Sequence, residues 1–440
     1  MPRRRNLWLF LAAVALGVNL AVGYRVYSQD ASTTGESEAF EKISIMMRVL
    51  HLIRQDYVDP EKVDFPDLIY GAIEGMVGSL DPFSGFMRPD AYQDMMESTE
   101  GEFGGLGIVV TVEDGILTIV TPMEDTPGSR AGLRPGDQII QVEEETTKDM
   151  DLHDAVKRLK GEPGTSVTIT IFRPETEETK EITLERALIE VPSVKDERVI
   201  ADTIGYLRIT QFNEPTAERL ADTVEQLTEK EIDGLVIDLR NNPGGLLNAA
   251  VDACSLFLPS KKLVVFTEGR RPSQKHQFFS GRGAKYPELP LTILVNRGSA
   301  SAAEIMAGCL QDWNRATLVG EKTFGKGSVQ NVIELPDGSA LRLTTAKYYT
   351  PSERVIHGNG IEPDMVVKLT DEELRQLFEA QMDATTDAVP EVDRQLQKAV
   401  EVLKNGGPTA EKSGEKPAEA PRADATADPS GKTAEPARAQ

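Results

Sequence analysis

Two residues whose types suit nucleophilic catalysis lie within one stretch of the sequence, Leu291–Gln330. The stretch opens with LTILV, which is typical of a buried strand, and continues into a turn of small residues that contains Ser301. Lys326 follows further along, between two glycines. A serine hydroxyl at a strand-to-helix turn needs a base, and a neutral lysine can act as one. A nucleophilic site can be built from these parts.

The local sequence around Ser301 also fits a purely structural interpretation. Ser301 and Glu304 form the S-x-x-E pattern of a capping box ahead of an apolar run. Ser299 is an equally small turn residue, and the G-x-S-x-G pattern of a hydrolase nucleophile elbow is absent. A helix cap and a nucleophile therefore both remain open for Ser301 on local grounds.

Lys326 likewise has a plain alternative as a surface turn lysine. Gly320–Lys326 matches the first seven positions of a phosphate-binding P-loop, but Gly327 replaces the hydroxyl residue and a strand-like run follows. Nucleotide binding is therefore not favoured. For Lys326 to act as a base, its pKa must fall by about 3 units from about 10.4, which costs about 4 kcal/mol of ammonium solvation. Burial among apolar and glycine residues produces such a shift.

Composition limits the classes of function. The chain has 440 residues, enough for two or three domains, and a formal net charge of −23, which argues against nucleic acid as a partner. Its two cysteines, Cys254 and Cys309, lie in apolar runs, so we expect buried thiols rather than a disulfide. No cysteine or histidine pattern has metal-binding spacing. We expect no metal and no organic cofactor.

The amino-terminal part indicates a targeting segment. Arg3, Arg4 and Arg5 precede the apolar run Leu7–Val22, so residues 1–27 are predicted to be a signal peptide or, preferably, an uncleaved anchor in the inner membrane. The rest of the chain is then exported to the cell envelope or periplasm. Residues 28–38 are predicted to be a linker, and residues 39–98 a helical region that serves as a cap or a dimerisation arm. A turn is expected at Leu80–Ser84.

The remaining chain indicates a multidomain α+β protein. Residues 99–190 are β-rich, with one helix at Leu152–Leu159. Residues 191–370 alternate strands such as Ile204–Ile209 with helices, which predicts an α/β core. Residues 371–404 form a C-terminal helical region, and residues 405–440 lack large apolar residues and are predicted to be a disordered tail.

The β-rich region resembles a PDZ domain in the order of its elements and in the motifs GGLGI and AGLRPGD. This resemblance implies that the backbone of Gly105, Leu106, Gly107 and Ile108 binds the carboxylate of a substrate tail, which adds to the sheet as a strand. A glycine-rich bulge without a ligand is the structural alternative.

The motifs LRNNPGG, NRGSASAAEI, LVGEKTFGKGSVQ, TTAKYYTPS and GNGIEPD resemble the bacterial carboxyl-terminal processing, or tail-specific, proteases. The resemblance implies an α/β Ser/Lys protease core with an inserted PDZ domain. Implied roles are Ser301 as nucleophile, Lys326 as general base, Gln330 as the residue that orients the lysine, Asp312 as a support, and the backbone N–H groups of Ala302 and of Gly244 or Gly245 as the oxyanion hole. In a regular strand, Gln330 and Lys326 would be about 13 Å apart, so an irregular backbone is required.

The same resemblance implies the partners. These are protein or peptide substrates with accessible C-termini, together with homodimer formation and an adaptor protein. Two rivals remain open: a non-enzymatic PDZ scaffold, and a Ser/His hydrolase that uses His357.

Overall fold

The computed structural model describes residues 35–113, 115–148, 150–281, 283–382 and 392–406. The predicted anchor at 1–27 and all but the first two residues of the predicted tail lie outside these ranges. The chain separates into two compact units, Met1–Leu80 and Asp81–Gln440. The helix Pro89–Glu100, grouped above with the amino-terminal region, lies in the second unit.

The described part of the first unit consists of helices Gly35–Asp56 and Phe65–Gly78 and a single 3₁₀ turn, Pro60–Lys62. The first helix already includes residues 35–38 of the predicted linker. Arg54 stacks 3.6 Å above the Phe65 ring and joins the two helices. No helix among the described residues is long and apolar enough to cross a membrane.

A six-stranded sheet forms the centre of the second unit. Its strands run parallel except for the first pair, and the four inner ones are almost fully buried, as parallel strands covered on both faces must be. One face packs against helices Thr216–Thr228, Leu247–Ser255 and Ala302–Asp312, and the other against Arg394–Lys404. In order across the sheet, the strands are Val194–Ile200, Ile204–Ile209, Gly234–Asp238, Leu291–Val295, Ala316–Gly320 and Met365–Val366.

A second sheet is built around the long strand Ala340–Tyr349. This strand pairs antiparallel with Ser328–Glu334, with Gly85–Met87 and with Leu263–Gly269, and His276–Phe279 lies at the outer edge. Strand Ala340–Tyr349 therefore anchors two segments: the residues that lead into Ser328, among them Lys326, and the residues that lead into Gly85. The helix Asp371–Met382 follows this part of the chain.

The β-rich region forms a separate antiparallel sheet with its own apolar core. Helix Leu152–Leu159 and the short helix Pro127–Arg130 complete it. The strands are Ile108–Glu113, Ile116–Pro122, Gln138–Val142, Glu145–Thr146, Ser166–Arg173 and Glu178–Glu185. The chain enters this region through Glu102–Gly105 and leaves it through Ala187–Glu190, and these two strands pair with each other.

Candidate active site

Three adjacent parallel strands end at the same edge of the central sheet. They are Gly234–Asp238, Leu291–Val295 and Ala316–Gly320. The glycine turn, residues 241–245, follows the first strand. The serine turn, residues 296–301, follows the second strand, and the lysine loop, residues 321–327, follows the third. Because carboxyl ends of parallel strands are where α/β proteins place their sites, this topology brings three distant motifs to one edge.

Ser301 has a strained backbone. It is buried, precedes helix Ala302–Asp312, and has φ 54° and ψ −116°. A non-glycine residue in such a conformation costs about 1–3 kcal/mol and is typical of functional sites. The same kind of sharp strand-to-helix turn carries the serine of a nucleophile elbow, although the G-x-S-x-G sequence is absent.

Ser299, the other serine of the turn, has a structural role. Its hydroxyl donates to the Leu239 carbonyl at 2.7 Å and accepts from the Asn296 N–H at 3.0 Å. The side chain therefore fastens the turn to the neighbouring strand end, and Ser301 is the better candidate for chemistry.

Glu304 connects the serine turn to the lysine loop. One carboxylate oxygen, Oε2, accepts the N–H groups of Ser301 at 2.9 Å and Lys326 at 2.8 Å. The other, Oε1, accepts the Gly325 N–H at 2.8 Å and the Thr323 hydroxyl. Burial raises the pKa of Glu304, and these hydrogen bonds oppose the rise without cancelling it. The S-x-x-E pattern identified the cap, but it could not show that the same carboxylate also holds the lysine loop.

Lys326 lies in an irregular segment just before strand Ser328–Glu334. A Cβ on Gly327 would stand 2.2 Å from the backbone nitrogen of His357, so the close approach of that loop requires glycine at position 327. Among the described residues, Lys326 Nζ forms no ion pair, and its ring contact is Phe83, 5.5 Å away. Burial lowers the pKa of Lys326, the positive charge of Arg342 lowers it further, and the charge of Glu304 opposes them.

The predicted irregular backbone is present at Gln330. The pairing with Ala340–Tyr349 shifts register between Val329 and Gln330. The buried Gln330 amide, however, donates to Ser328 Oγ at 2.8 Å and weakly to Thr344 Oγ1 at 3.5 Å, and no hydrogen bond joins it to Lys326 within the described ranges. Direct orientation of the lysine by Gln330 therefore stays a prediction.

The glycine turn packs directly on the serine. A Cβ on Gly244 would lie 2.6 Å from Ser301 Cβ and 2.9 Å from the Ala302 nitrogen. The Gly244 N–H already donates to Asn242 Oδ1 at 2.8 Å. In the described part of the chain, the N–H groups of Gly245 and Ala302 have no such acceptor. Of the two glycines proposed for an oxyanion hole, Gly245 thus has the available donor.

A buried charge network fixes this turn. Arg240 donates to Asp238 at 2.6–3.0 Å and to both oxygens of Asp393 at 2.9 and 3.0 Å, and Tyr206 donates to Asp238 at 2.9 Å. Burial alone would raise the pKa of Asp238, but Arg240 outweighs it and holds that pKa below its usual range. Asp393 also caps helix Arg394–Lys404 by accepting from the Leu396 N–H at 2.9 Å.

Asp312 has the contacts of a supporting residue. Its carboxylate accepts the Ser352 N–H at 2.8 Å and pairs with Arg354. It therefore holds the turn that follows strand Ala340–Tyr349. Both cysteines are buried free thiols, as expected.

In the β-rich region, the predicted loop precedes a free strand edge. Strand Ile108–Glu113 is the outermost of its sheet. The carbonyls of Leu106 and Gly107 accept the N–H groups of Gly128 and Met123, each at 2.8 Å, and these hydrogen bonds fix the conformation of the loop. No acceptor for the N–H groups of Leu106 and Gly107 occurs among the described residues. Such an edge and such donors suit strand addition by a peptide carboxyl end.

Comparison with known proteins identifies the class. Residues 203–367 match peptidase family S41, residues 118–173 match a PDZ domain, and residues 20–91 match the N-terminal domain of the activating protease CtpB. These matches define a multidomain α+β serine peptidase with a PDZ domain, so the predicted fold class and peptidase activity are confirmed and the non-enzymatic scaffold is set aside.

Three curated relatives define the family more closely. A carboxy-terminal-processing protease of Bartonella bacilliformis is 41% identical over 368 residues, covering 83% of each chain. A carboxyl-terminal-processing protease of Synechocystis is 36% identical over 439 residues, covering 94% of this chain and 97% of that one. CtpB of Bacillus subtilis is 36% identical over 344 residues, covering 78% and 71%. The chain belongs to the carboxyl-terminal processing proteases.

Proposed function

We propose that this protease is an exported Ser/Lys endopeptidase in which Ser301 is the nucleophile and Lys326 the general base. The observation that carries the proposal is the single oxygen of Glu304 that accepts the backbone N–H groups of both residues. The absence of an ion pair at Lys326 Nζ among the described residues and its lowered pKa support a neutral amine.

The chemistry follows from these positions. The lone pair of neutral Lys326 takes the proton of Ser301 as the serine oxygen forms a bond to the scissile carbonyl carbon. The resulting oxyanion is stabilised by the N–H groups of Ala302 and Gly245, and one such donor is typically worth about 10²–10³ in rate. Collapse breaks the C–N bond, and the leaving amine takes the proton from Lys326. Water then hydrolyses the ester by the same path.

The PDZ domain selects the substrate in this proposal. The free edge of Ile108–Glu113 and the N–H groups that follow Gly105 support capture of a substrate carboxyl end. Cleavage near that end follows when the captured chain extends to Ser301. Homodimer formation and an adaptor protein remain further predictions.

Export is supported by the sequence alone. The cluster Arg3–Arg5 and the apolar run Leu7–Val22 suit a segment inserted into the inner membrane with the protease domain outside the cytoplasm. Cell fractionation tests this part of the proposal, and the chain is expected in the membrane fraction. A protease added to intact spheroplasts is expected to digest the chain, because the protease domain lies outside the cytoplasm.

The base is tested by replacing three side chains and measuring cleavage of an unstructured protein. Lys326→Ala is expected to abolish cleavage, whereas His357→Ala retains it. Lys322→Ala is a matched control, since Lys322 lies on the same loop, is exposed and pairs with Glu362 at 2.7 Å. Retained activity in Lys326→Ala together with loss in His357→Ala would establish the Ser/His rival instead.

A further inference from the structure

The turn Asp81–Ser84 places an aromatic ring over the amine of Lys326. The Phe83 ring centre lies 5.5 Å from Nζ, and the ring forms a T-shaped pair with the His357 imidazole, with ring centres 6.3 Å apart. Phe83 is half-buried and lies far from Lys326 in sequence. No role for this ring follows from the Ser/Lys chemistry itself.

Hydrogen bonds hold the turn in one conformation. Asp81 Oδ1 accepts the N–H groups of Phe83 and Ser84, each at 2.8 Å, and Oδ2 accepts the Ser84 hydroxyl at 2.7 Å. Burial pushes the pKa of Asp81 upward, but these hydrogen bonds outweigh it, and the pKa is lowered. An ionised Asp81 therefore fixes the backbone from which the Phe83 side chain projects.

The turn is also attached to the strand that adjoins the lysine loop. Thr344 donates its N–H to Ser84 Oγ at 3.0 Å and its hydroxyl to Asp81 at 3.2 Å, and Arg342 Nε donates to the Phe83 carbonyl at 3.1 Å. Thr344 and Arg342 belong to strand Ala340–Tyr349. This strand also pairs with strand Ser328–Glu334, which begins two residues after Lys326. Ring and amine are thus held by the same strand.

We propose that Phe83 is a positioning residue for the base, its ring covering Nζ of Lys326 and excluding water from it. This inference rests on the proposed role of Lys326. Two opposite effects of the ring must be weighed. A cation–π contact favours the ammonium, but 5.5 Å is near the limit of its range. Removal of water disfavours the ammonium, and burial is the largest cause of the lowered pKa of the half-buried Lys326. Water exclusion therefore dominates.

Other charges around Lys326 set the background for this effect. Arg342 on the long strand disfavours the ammonium, and Glu304 on the helix favours it. Asp81 lies in the turn itself, and the His357 imidazole contacts the Phe83 ring. A change of Phe83 leaves these groups in place, so its effect can be separated from theirs.

The experiment measures protonation of Lys326 without relying on cleavage. The full chain carrying Ser301→Ala is labelled with trace acetic anhydride across pH, and acetylation of Lys326 is quantified by mass spectrometry. Phe83→Ala is expected to raise the midpoint by about 1 unit or more toward the ordinary value near 10.4, whereas Phe83→Leu, which keeps the apolar cover, leaves it within about 0.5 unit. Phe324→Ala, an exposed ring on the same loop, is the matched control and leaves it unchanged.

In the active chain, Phe83→Ala should move the rising limb of kcat/KM to higher pH by the same amount, with about a tenfold loss at pH 7. An unchanged or lowered Lys326 midpoint in Phe83→Ala would overturn the inference. Thr344→Val, which loosens the turn but keeps the ring, should shift the midpoint in the same direction by less, so the inference remains testable if Phe83→Ala does not fold. Failure of the Ser/Lys proposal appears separately, as cleavage by Lys326→Ala.

Discussion

Arg240 and Asp393 form a bidentate ion pair, with Nη1 and Nη2 at 3.0 and 2.9 Å from the two carboxylate oxygens. Both side chains are buried, and the pair joins the glycine turn beside Ser301 to the helix near the end of the described chain. The position of a proposed oxyanion donor thus depends on a residue remote in sequence.

Asp393→Ala is expected to destabilise the protein by about 1–3 kcal/mol, because Arg240 keeps Asp238 but two of its buried N–H donors and the Leu396 N–H lose their acceptor. Urea unfolding followed by circular dichroism measures this loss. Glu401→Ala, which breaks an exposed pair with Lys398 on the same helix, should cost less than about 1 kcal/mol. Equal effects of the two changes would contradict a dominant role for the buried pair.

Glu304→Gln is expected to destabilise the junction between the serine turn and the lysine loop. An amide offers one acceptor oxygen where the carboxylate offers two, so N–H groups that now bind Glu304 lose their partner at about 1–3 kcal/mol each. The unfolding free energy checks this. The control is Glu362→Gln, an exposed carboxylate paired with Lys322, with an expected change below about 1 kcal/mol. If the unfolding free energy of Glu304→Gln equals that of the control, the four hydrogen bonds accepted by Glu304 contribute little to stability.

The pH dependence of cleavage should rise and then level off. Since the proposed base, Lys326, acts as the neutral amine and its pKa is lowered, kcat/KM is expected to increase with pH below that pKa and to be flat above it. Arg342→Gln removes a positive charge that disfavours the ammonium, so the rising limb should move to higher pH. Glu304→Gln removes a negative charge that favours it, so the limb should move to lower pH. Shifts of the same sign in both variants would be inconsistent with a titrating Lys326.

Gly244→Ala should lower cleavage by about 10² or more, because the new Cβ would lie 2.6 Å from Ser301 Cβ and displace the proposed oxyanion donors. Gly132→Ala is a suitable control. Both glycines have positive φ, 102° and 76°, but a Cβ at Gly132 meets open space. Both variants therefore carry backbone strain, and only the first disturbs the site. Comparable kcat/KM values for the two would mean that close approach at Gly244 is unimportant.

Sequence patterns predicted the regular elements well where the apolar period was strong. Helix Leu152–Leu159 and strand Ile204–Ile209 have the predicted bounds. Strand Gly85–Met87 is only three residues long, and Val194–Ile200 contains four consecutive charged residues, so neither has a clear apolar period. Their pairing partners lie elsewhere in the chain and determine that they are strands.

Only the local part of the candidate site could be inferred from the sequence. Short motifs indicated Ser301 and Lys326, since glycines and small residues mark turns locally. The partners that hold them could not be inferred, because Glu304 resembles an ordinary helix cap and Asp393 an ordinary charged residue. Their roles arise from hydrogen bonds between segments that only the fold brings together.

The strands at the two ends of the PDZ domain, Glu102–Gly105 and Ala187–Glu190, run side by side, with Glu102 opposite Glu190 and Gly105 opposite Ala187. A module whose two ends are adjacent can be exchanged without moving the residues on either side. Substrate choice and bond cleavage can therefore diverge independently in evolution. For engineering, this strand pair is the natural junction at which to graft a different recognition domain onto the same peptidase.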